Sequence, residues 1–262
     1  MFMKITFILI GLASALTVVA EDNDPAIEAI IAQLQKRIPS MDVQDVNKSP
    51  MKGLYEVMAS GQLIYVSADA KFIVSGKLFS IENGIVDLSE DALARIDKKK
   101  APLRQAKIAQ VEDKDMIIYK ATNEKHKVSV FTDVDCGFCR QLHQKMAGYN
   151  NLGITIQYLG YPRAGIGSSS HIKLRSVWCA ADQHKAMDAA KIDRTFGTDT
   201  CEDPIQEHMQ LVRAFGINGT PALILESGRL LPGFVEPANL LKLLEQERAE
   251  AIAESKEKSS GS

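Results

Sequence analysis

Phe131-Thr-Asp-Val-Asp-Cys136-Gly-Phe-Cys139-Arg-Gln-Leu-His143 is the stretch on which the fold turns. Val128-Ser-Val-Phe131 reads as a short strand, and a helical stretch follows from about Cys136 to Tyr149, with Leu142 and Met146 four apart. A Cys-x-x-Cys at the point where a strand gives way to a helix has a chemical use. The free N–H groups and partial positive charge of a helix N-terminus stabilise a thiolate, and the thiolate is the form that attacks a disulfide. Cys136 is read as the exposed nucleophile. Cys139, one turn on, is read as the more buried thiol that resolves a mixed disulfide. Other chemistries fit less well. Attachment of c-type haem needs His directly after the second Cys, where Arg140 stands. Zinc needs about four ligands, usually as two close pairs, and Cys179 and Cys201 form no second pair. No metal and no cofactor is therefore expected. An inert Cys136–Cys139 bridge would close a strained, reducible loop.

Beyond the motif, Ile154-Thr-Ile-Gln-Tyr158 is the next strand, and helical stretches cover roughly 168–194 and 203–215. Ala222-Leu-Ile-Leu225 and Leu230-Leu231 flank Ser227-Gly228, a hairpin signal, and a last helix starts at Pro237. Strands alternating with helices indicate an α/β layer fold. Gly219-Thr220-Pro221 precedes a strand, the place where a proline is tolerated. A cis Thr220–Pro221 bond would turn the Thr220 backbone towards an extended substrate, although most X-Pro bonds are trans. Four cysteines allow three pairings, and sequence alone does not choose; proximity favours 136–139 with 179–201.

The chain has 262 residues, 45% hydrophobic and 24% charged, with 31 basic against 33 acidic side chains. That balance leaves no basic footprint for nucleic acid and argues against a disordered chain. Residues 1–20 combine Lys4, an apolar run and a small-residue end at Ala20, as in a cleaved secretory signal. A retained anchor would need about 20 apolar residues. Export would let the cysteines form and keep disulfides. Ile27, Ile30, Ile31, Leu34 and Ile38 have helical spacing, and residues 41–86 hold short β-rich runs, Leu63–Val66, Phe72–Val74 and Leu78–Ile81, with a turn at Asn83-Gly84. Residues 21–86 thus form a small antiparallel sheet with one helix, marginal alone and stabilised by pairing with a second copy. Residues 87–112 are read as a linker with a helix over 89–100, capped by Ser89 and broken or kinked at Pro102. Residues 113–252 form the second domain and 253–262 a disordered tail.

Taken together, Phe-Thr-Asp-x-x-Cys136-Gly-Phe-Cys139-x-x-Leu-His, Val-Trp-Cys179-Ala and Gly-x-x-Gly-Thr220-Pro221-Ala resemble the periplasmic disulfide isomerases of the DsbC/DsbG type, on the thioredoxin fold. The resemblance implies an α+β chain: a cystatin-like N-terminal dimerisation domain, a linker helix, and a thioredoxin-like catalytic domain with a helical insertion. It also implies a homodimer joined through the N-terminal domains, a cis Pro221 and a structural Cys179–Cys201 disulfide. Misfolded disulfide-containing exported proteins would be the clients, and a membrane thiol reductase of the DsbD type would keep the site reduced.

Two departures stand out. Thioredoxin carries a buried acid six residues before its first Cys, where this chain has Val130. Proton transfer from Cys139 must then use water or another group, with Asp133, Asp135 and His143 as candidates. The dipeptide Gly137-Phe138 matches the isomerase pattern rather than the Pro-His of the oxidase DsbA, which implies a less oxidising couple. The expected function is a thiol–disulfide isomerase with chaperone activity. The rivals are a dithiol oxidase or reductase on the same fold, and a holdase whose cysteines are incidental.

Overall fold

The structure, a computed structural model, describes residues 24–260. The expected leader and its cleavage after Ala20 lie outside the described residues. The N-terminal unit opens with α1 (Pro25–Arg37), where Asp24 caps the first turn by accepting from the Ala26 N–H at 3.0 Å. Strands β1 (Val43–Lys48), β2 (Leu54–Ala59), β3 (Gln62–Ser67) and β4 (Ile73–Val74) pair antiparallel in chain order. A two-stranded hairpin of β5 (Phe79–Ser80) and β6 (Val86–Asp87) follows. Sequence periodicity missed β1 and β2 because polar residues interrupt them. Glu56, in the middle of β2, is fully buried, with one carboxylate oxygen 2.9 Å from the Arg95 guanidinium.

The long helix α2 (Leu88–Ile108) runs through the residues read as a linker helix and buries Ser89, Ala92, Ile96 and Arg104, more than its charged pattern suggests. Ile30 and Leu34 of α1 fill one face of the four-stranded sheet against Val46, Val57, Ile64 and Val66. Ala92 and Ile96 of α2 cover the other face against Met58, Leu63 and Tyr65. The cap is Asp87 rather than Ser89, its carboxylate accepting from the N–H groups of Ser89 and Glu90. Ser89 is buried and bonds the Tyr65 hydroxyl at 2.7 Å. Nor does Pro102 end the helix. The carbonyl that loses its partner there belongs to Lys98, an exposed residue, so water can replace the missing N–H. Beyond Pro102, Arg104 is buried and donates to Asp97 at 2.6 Å and to the Gly228 carbonyl at 2.9 Å. Helix α2 is therefore fastened to both domains.

A short 3-10 turn (Asp113–Asp115) leads into the second domain: β7 (Ile117–Tyr119), β8 (His126–Thr132), α3 (Gly137–Gln144), α4 (Met146–Asn151) and β9 (Ile154–Gly160). Then come α5 (Ser169–Trp178), α6 (Gln183–Asp188), a five-residue π turn (Ala189–Asp193), α7 (Ile205–Phe215), β10 (Ala222–Ile224), β11 (Leu230–Pro232) and α8 (Pro237–Ser260). The five strands lie in the order β11-β10-β8-β9-β7, with β8 and β9 parallel and the other pairs antiparallel. Central β8 is apolar on both faces. Val128 and Val130 pack towards α3, α5 and α8, whereas Phe131 packs towards α7. The helical stretch expected over 136–149 is two helices divided at Lys145, and that expected over 168–194 is three pieces. Helix α8 continues to Ser260, past the start of the expected disordered tail, because Ala, Glu and Lys are good helix formers.

Cys179 ends α5 and is disulfide-bonded to Cys201, 22 residues on in the extended segment before α7. Replacing both with Ser is expected to lower stability by about 3 kcal/mol in urea unfolding, the chain-entropy value for such a loop. Gly228, at the β10–β11 turn, has φ +84°, and a Cβ there would overlap the Ala101 carbonyl of α2. Gly228→Ala is expected to cost about 1–3 kcal/mol by straining this contact between the helix and the second domain. An unchanged melting temperature in thermal unfolding would contradict that.

Candidate active site

Register brings three segments to one end of β8. Ala222 of β10 is opposite Phe131, so the antiparallel chain places Pro221 and Thr220 beyond Thr132, beside residues 133–136. Gly160 of β9 is level with Thr132 on the parallel side, so Tyr161, Pro162 and Arg163 run alongside the same loop. The Thr220–Pro221 peptide is cis. Cys136 is the N-cap of α3, its sulfur accepting from the Cys139 N–H at 3.4 Å. The same sulfur lies 3.1 Å from the Thr220 carbonyl, to which the thiol form donates.

Cys139 is fully buried, as expected, but Cys136 is only 3% exposed. The sequence expectation of an exposed nucleophile is corrected: the sulfur is tucked between the helix start and the cis-proline loop. Between the cysteines, Gly137 opens α3 and Phe138 is 59% exposed, an apolar side chain turned to solvent.

The electrostatics separate the two thiols. The Cys136 thiol is drawn down to about 5, chiefly by the hydrogen bond from the Cys139 thiol. Burial opposes this, while Thr220, the Cys139 N–H and the Arg163 charge assist. The Thr220 hydroxyl is buried and otherwise has no partner, so a thiolate gives it an acceptor. Cys139 is pushed well above the ordinary thiol range by burial and by holding the proton it shares with Cys136. The pair therefore has one thiolate and one thiol.

The three candidate proton acceptors fall in different places. Asp133 is buried and accepts from Ser170 Oγ at 2.6 Å, from the Asp135 N–H at 2.9 Å, and from Arg163 N and Nε at 3.1 Å each. Burial alone would raise its carboxyl, but these bonds outweigh it and hold it below its usual range. Its oxygens are committed to fixing the loop and to aiming Arg163 at the thiolate. Asp135 pairs with Lys173 at 2.9 Å and Arg194 at 3.4 Å. His143 is buried rather than a solvated surface residue. Its Nε2 lies 2.8 Å from Asp188 and its Nδ1 lies 3.2 Å from the Tyr158 hydroxyl. Burial and the nearby Lys191 push His143 down to about 4, so it is neutral at pH 7. The carboxylate fixes the tautomer: Nε2–H donates to Asp188, and Nδ1 accepts from Tyr158.

Sequence reasoning missed Arg163, Tyr158, Asp188 and Lys191. Only Tyr158 carried a signal, as a polar-tipped residue in an apolar strand. Arg163 depends on the pairing of β8 with β9, and Lys191 on the π turn, neither of which local periodicity reports.

Residues 19–90 match the family model for the disulfide bond isomerase protein N-terminal domain, and residues 112–248 match that for a thioredoxin-like domain. The thiol:disulfide interchange protein DsbC of Escherichia coli K12 is 34% identical over 244 residues, covering 93% of this chain and 97% of that protein. DsbC of Dickeya dadantii is 36% identical over 250 residues, covering 94% and 98%. Among solved structures, a disulfide interchange protein from Neisseria gonorrhoeae is similar at 29% identity, over 52% of this chain and 97% of its own, with a TM-score of 0.46. Both domains and nearly the full length are accounted for by the two sequence relatives: the chain belongs to the DsbC family of thiol:disulfide interchange proteins, and its chemistry is thiol–disulfide exchange.

Proposed function

We propose that the protein is an exported disulfide isomerase in which Cys136 attacks a non-native disulfide of a misfolded protein and Cys139 resolves the complex. The observation that carries this reading is the Cys136 sulfur at the N-terminus of α3, with its acidity raised by the Cys139 thiol and N–H and by Thr220. The cycle follows from the two acidities. The Cys136 thiolate attacks one substrate sulfur and expels the other, forming a mixed disulfide. The freed substrate thiol then attacks elsewhere and releases Cys136 unchanged, which is isomerisation. Alternatively, Cys139 attacks Cys136 and the enzyme leaves oxidised. Thr220 and Pro221 are the substrate-binding residues in this reading. Once Cys136 is ionised it no longer donates to the Thr220 carbonyl, which is then free to accept a substrate backbone N–H. No cofactor takes part.

Export to the periplasm, with cleavage after about Ala20, and reduction by a membrane thiol reductase of the DsbD type complete the proposal. A homodimer through the N-terminal domain is supported by apolar side chains that a lone chain leaves in water. Phe72 is 67% exposed, Ile81 81% and Ile85 82%, all between the end of β3 and β6. Binding of exposed apolar segments in client proteins is the accompanying chaperone activity.

Refolding of a scrambled protein with several wrong disulfides tests the central step. The full chain is expected to restore native pairing, and Cys136→Ala to reduce the rate to that of buffer. Undiminished refolding by Cys136→Ala would favour a holdase, and oxidation of thiols without reshuffling would favour a dithiol oxidase. In solution the protein is expected at twice the mass of one chain by light scattering, and a single-chain mass would rule out the dimer.

A further inference from the structure

The cycle leaves the Cys139 proton without an acceptor. Val130 stands, fully buried, where a buried acid would serve. Asp133 and Asp135 are committed elsewhere, and His143 already accepts from Tyr158. Lys191 lies in the π turn that packs against α3, with 1% of its surface exposed. Its Nζ lies 2.6 Å from Thr132 Oγ1 and 3.5 Å from the Asp133 carbonyl, and 5.2 Å from the centre of the Tyr158 ring. Among the described residues no carboxylate pairs with it. A buried lysine without an ion-pair partner is costly as an ammonium and readily becomes an amine.

The hydrogen-bond count fits the amine. A neutral Nζ has two N–H groups, which Thr132 Oγ1 and the Asp133 carbonyl can take, leaving one lone pair. We infer that Lys191 is the buried base that receives the Cys139 proton when the mixed disulfide is resolved. The inference rests on Cys139 as the resolving thiol. The S–H proton of Cys139 passes to Lys191, leaving a thiolate beside an ammonium. The thiolate attacks the Cys136 sulfur of the mixed disulfide; the Cys136–Cys139 bond forms as the Cys136–substrate bond breaks. The substrate sulfur departs as a thiolate and is protonated from solvent. Over the cycle the two cysteines lose two electrons and one substrate disulfide gains them.

The surroundings act in the right sense. Burial lowers the pKa of the Lys191 ammonium, while negative charge on Cys139, Asp133 and Cys136 raises it, so ammonium and thiolate favour each other. From α3, Arg140 opposes the ammonium, and the neighbouring His143 is kept neutral chiefly by its burial. Tyr158 of β9 stays protonated, since burial and nearby Cys139 both raise its pKa. Asp188 of α6 reaches this cluster only through His143 and Tyr119.

Rapid mixing of the reduced full-length protein with a fluorescent disulfide peptide separates attack by Cys136 from release through Cys139. Lys191→Met, close in shape and without charge, is expected to slow release about a hundredfold at neutral pH and move its pH midpoint upward. Equal release rates and midpoints in the two proteins overturn the inference. Carbon NMR of Lys191 Cε in the unmodified protein gives an independent readout. Lys191 is expected to lose its proton at lower pH in the oxidised than in the reduced form, and identical titrations overturn the proposal whether or not Lys191→Met folds. Absence of attack by Cys136 in the unmodified protein overturns the reading of the site instead, and the NMR comparison still decides Lys191.

Discussion

A single sulfur atom, Cys136 Sγ, closes the first turn of α3, and the arrangement around it depends on that contact. A helix N-terminus has N–H groups with no partner inside the helix, and a side-chain acceptor normally satisfies them. Here the acceptor is itself the nucleophile. The interaction that finishes the helix also holds negative charge on the sulfur, so local structure and reactivity share one cause. The hydrogen bond from the Cys139 thiol is the larger contribution and divides the labour, with one sulfur ionised and the other keeping a proton in a buried site.

The rest of the catalytic domain serves to place partners around this atom. Pairing of β10 with β8 delivers Thr220 and the cis proline, and pairing of β9 with β8 delivers Arg163, which Asp133 orients. The low exposure of Cys136 belongs to the same design. The thiol form is held against the Thr220 carbonyl at 3.1 Å, and ionisation of the sulfur releases that carbonyl. Burial opposes ionisation, and the outcome is decided by hydrogen bonds that together outweigh it.

Much of this was legible in the sequence because the motif and the element boundary coincide. Cys136 falls where the apolar alternation of Val128–Phe131 ends, and Gly219-Thr220-Pro221 directly precedes an apolar run. These are local signals. The N-terminal strands β1 and β2 were obscured by polar residues such as Glu56, which is buried beneath α2 and paired there with Arg95. Helix α2 read as a linker because its polar residues are anchors rather than a solvated face: Arg104 and Asp97 bind the β10–β11 turn. Lys191 had no signal at all. In a regular helix a lysine beside Ile192 and Asp193 suggests a surface position, and the π turn rotates it inward.

The most direct test of this account is the ionisation of Cys136 in the reduced protein, followed by the ultraviolet absorbance of the thiolate against pH. One thiolate per chain should appear with a midpoint near 5, and Cys136→Ser should abolish it. A sulfur that remains protonated up to about pH 8, the range of an ordinary thiol, would contradict the account.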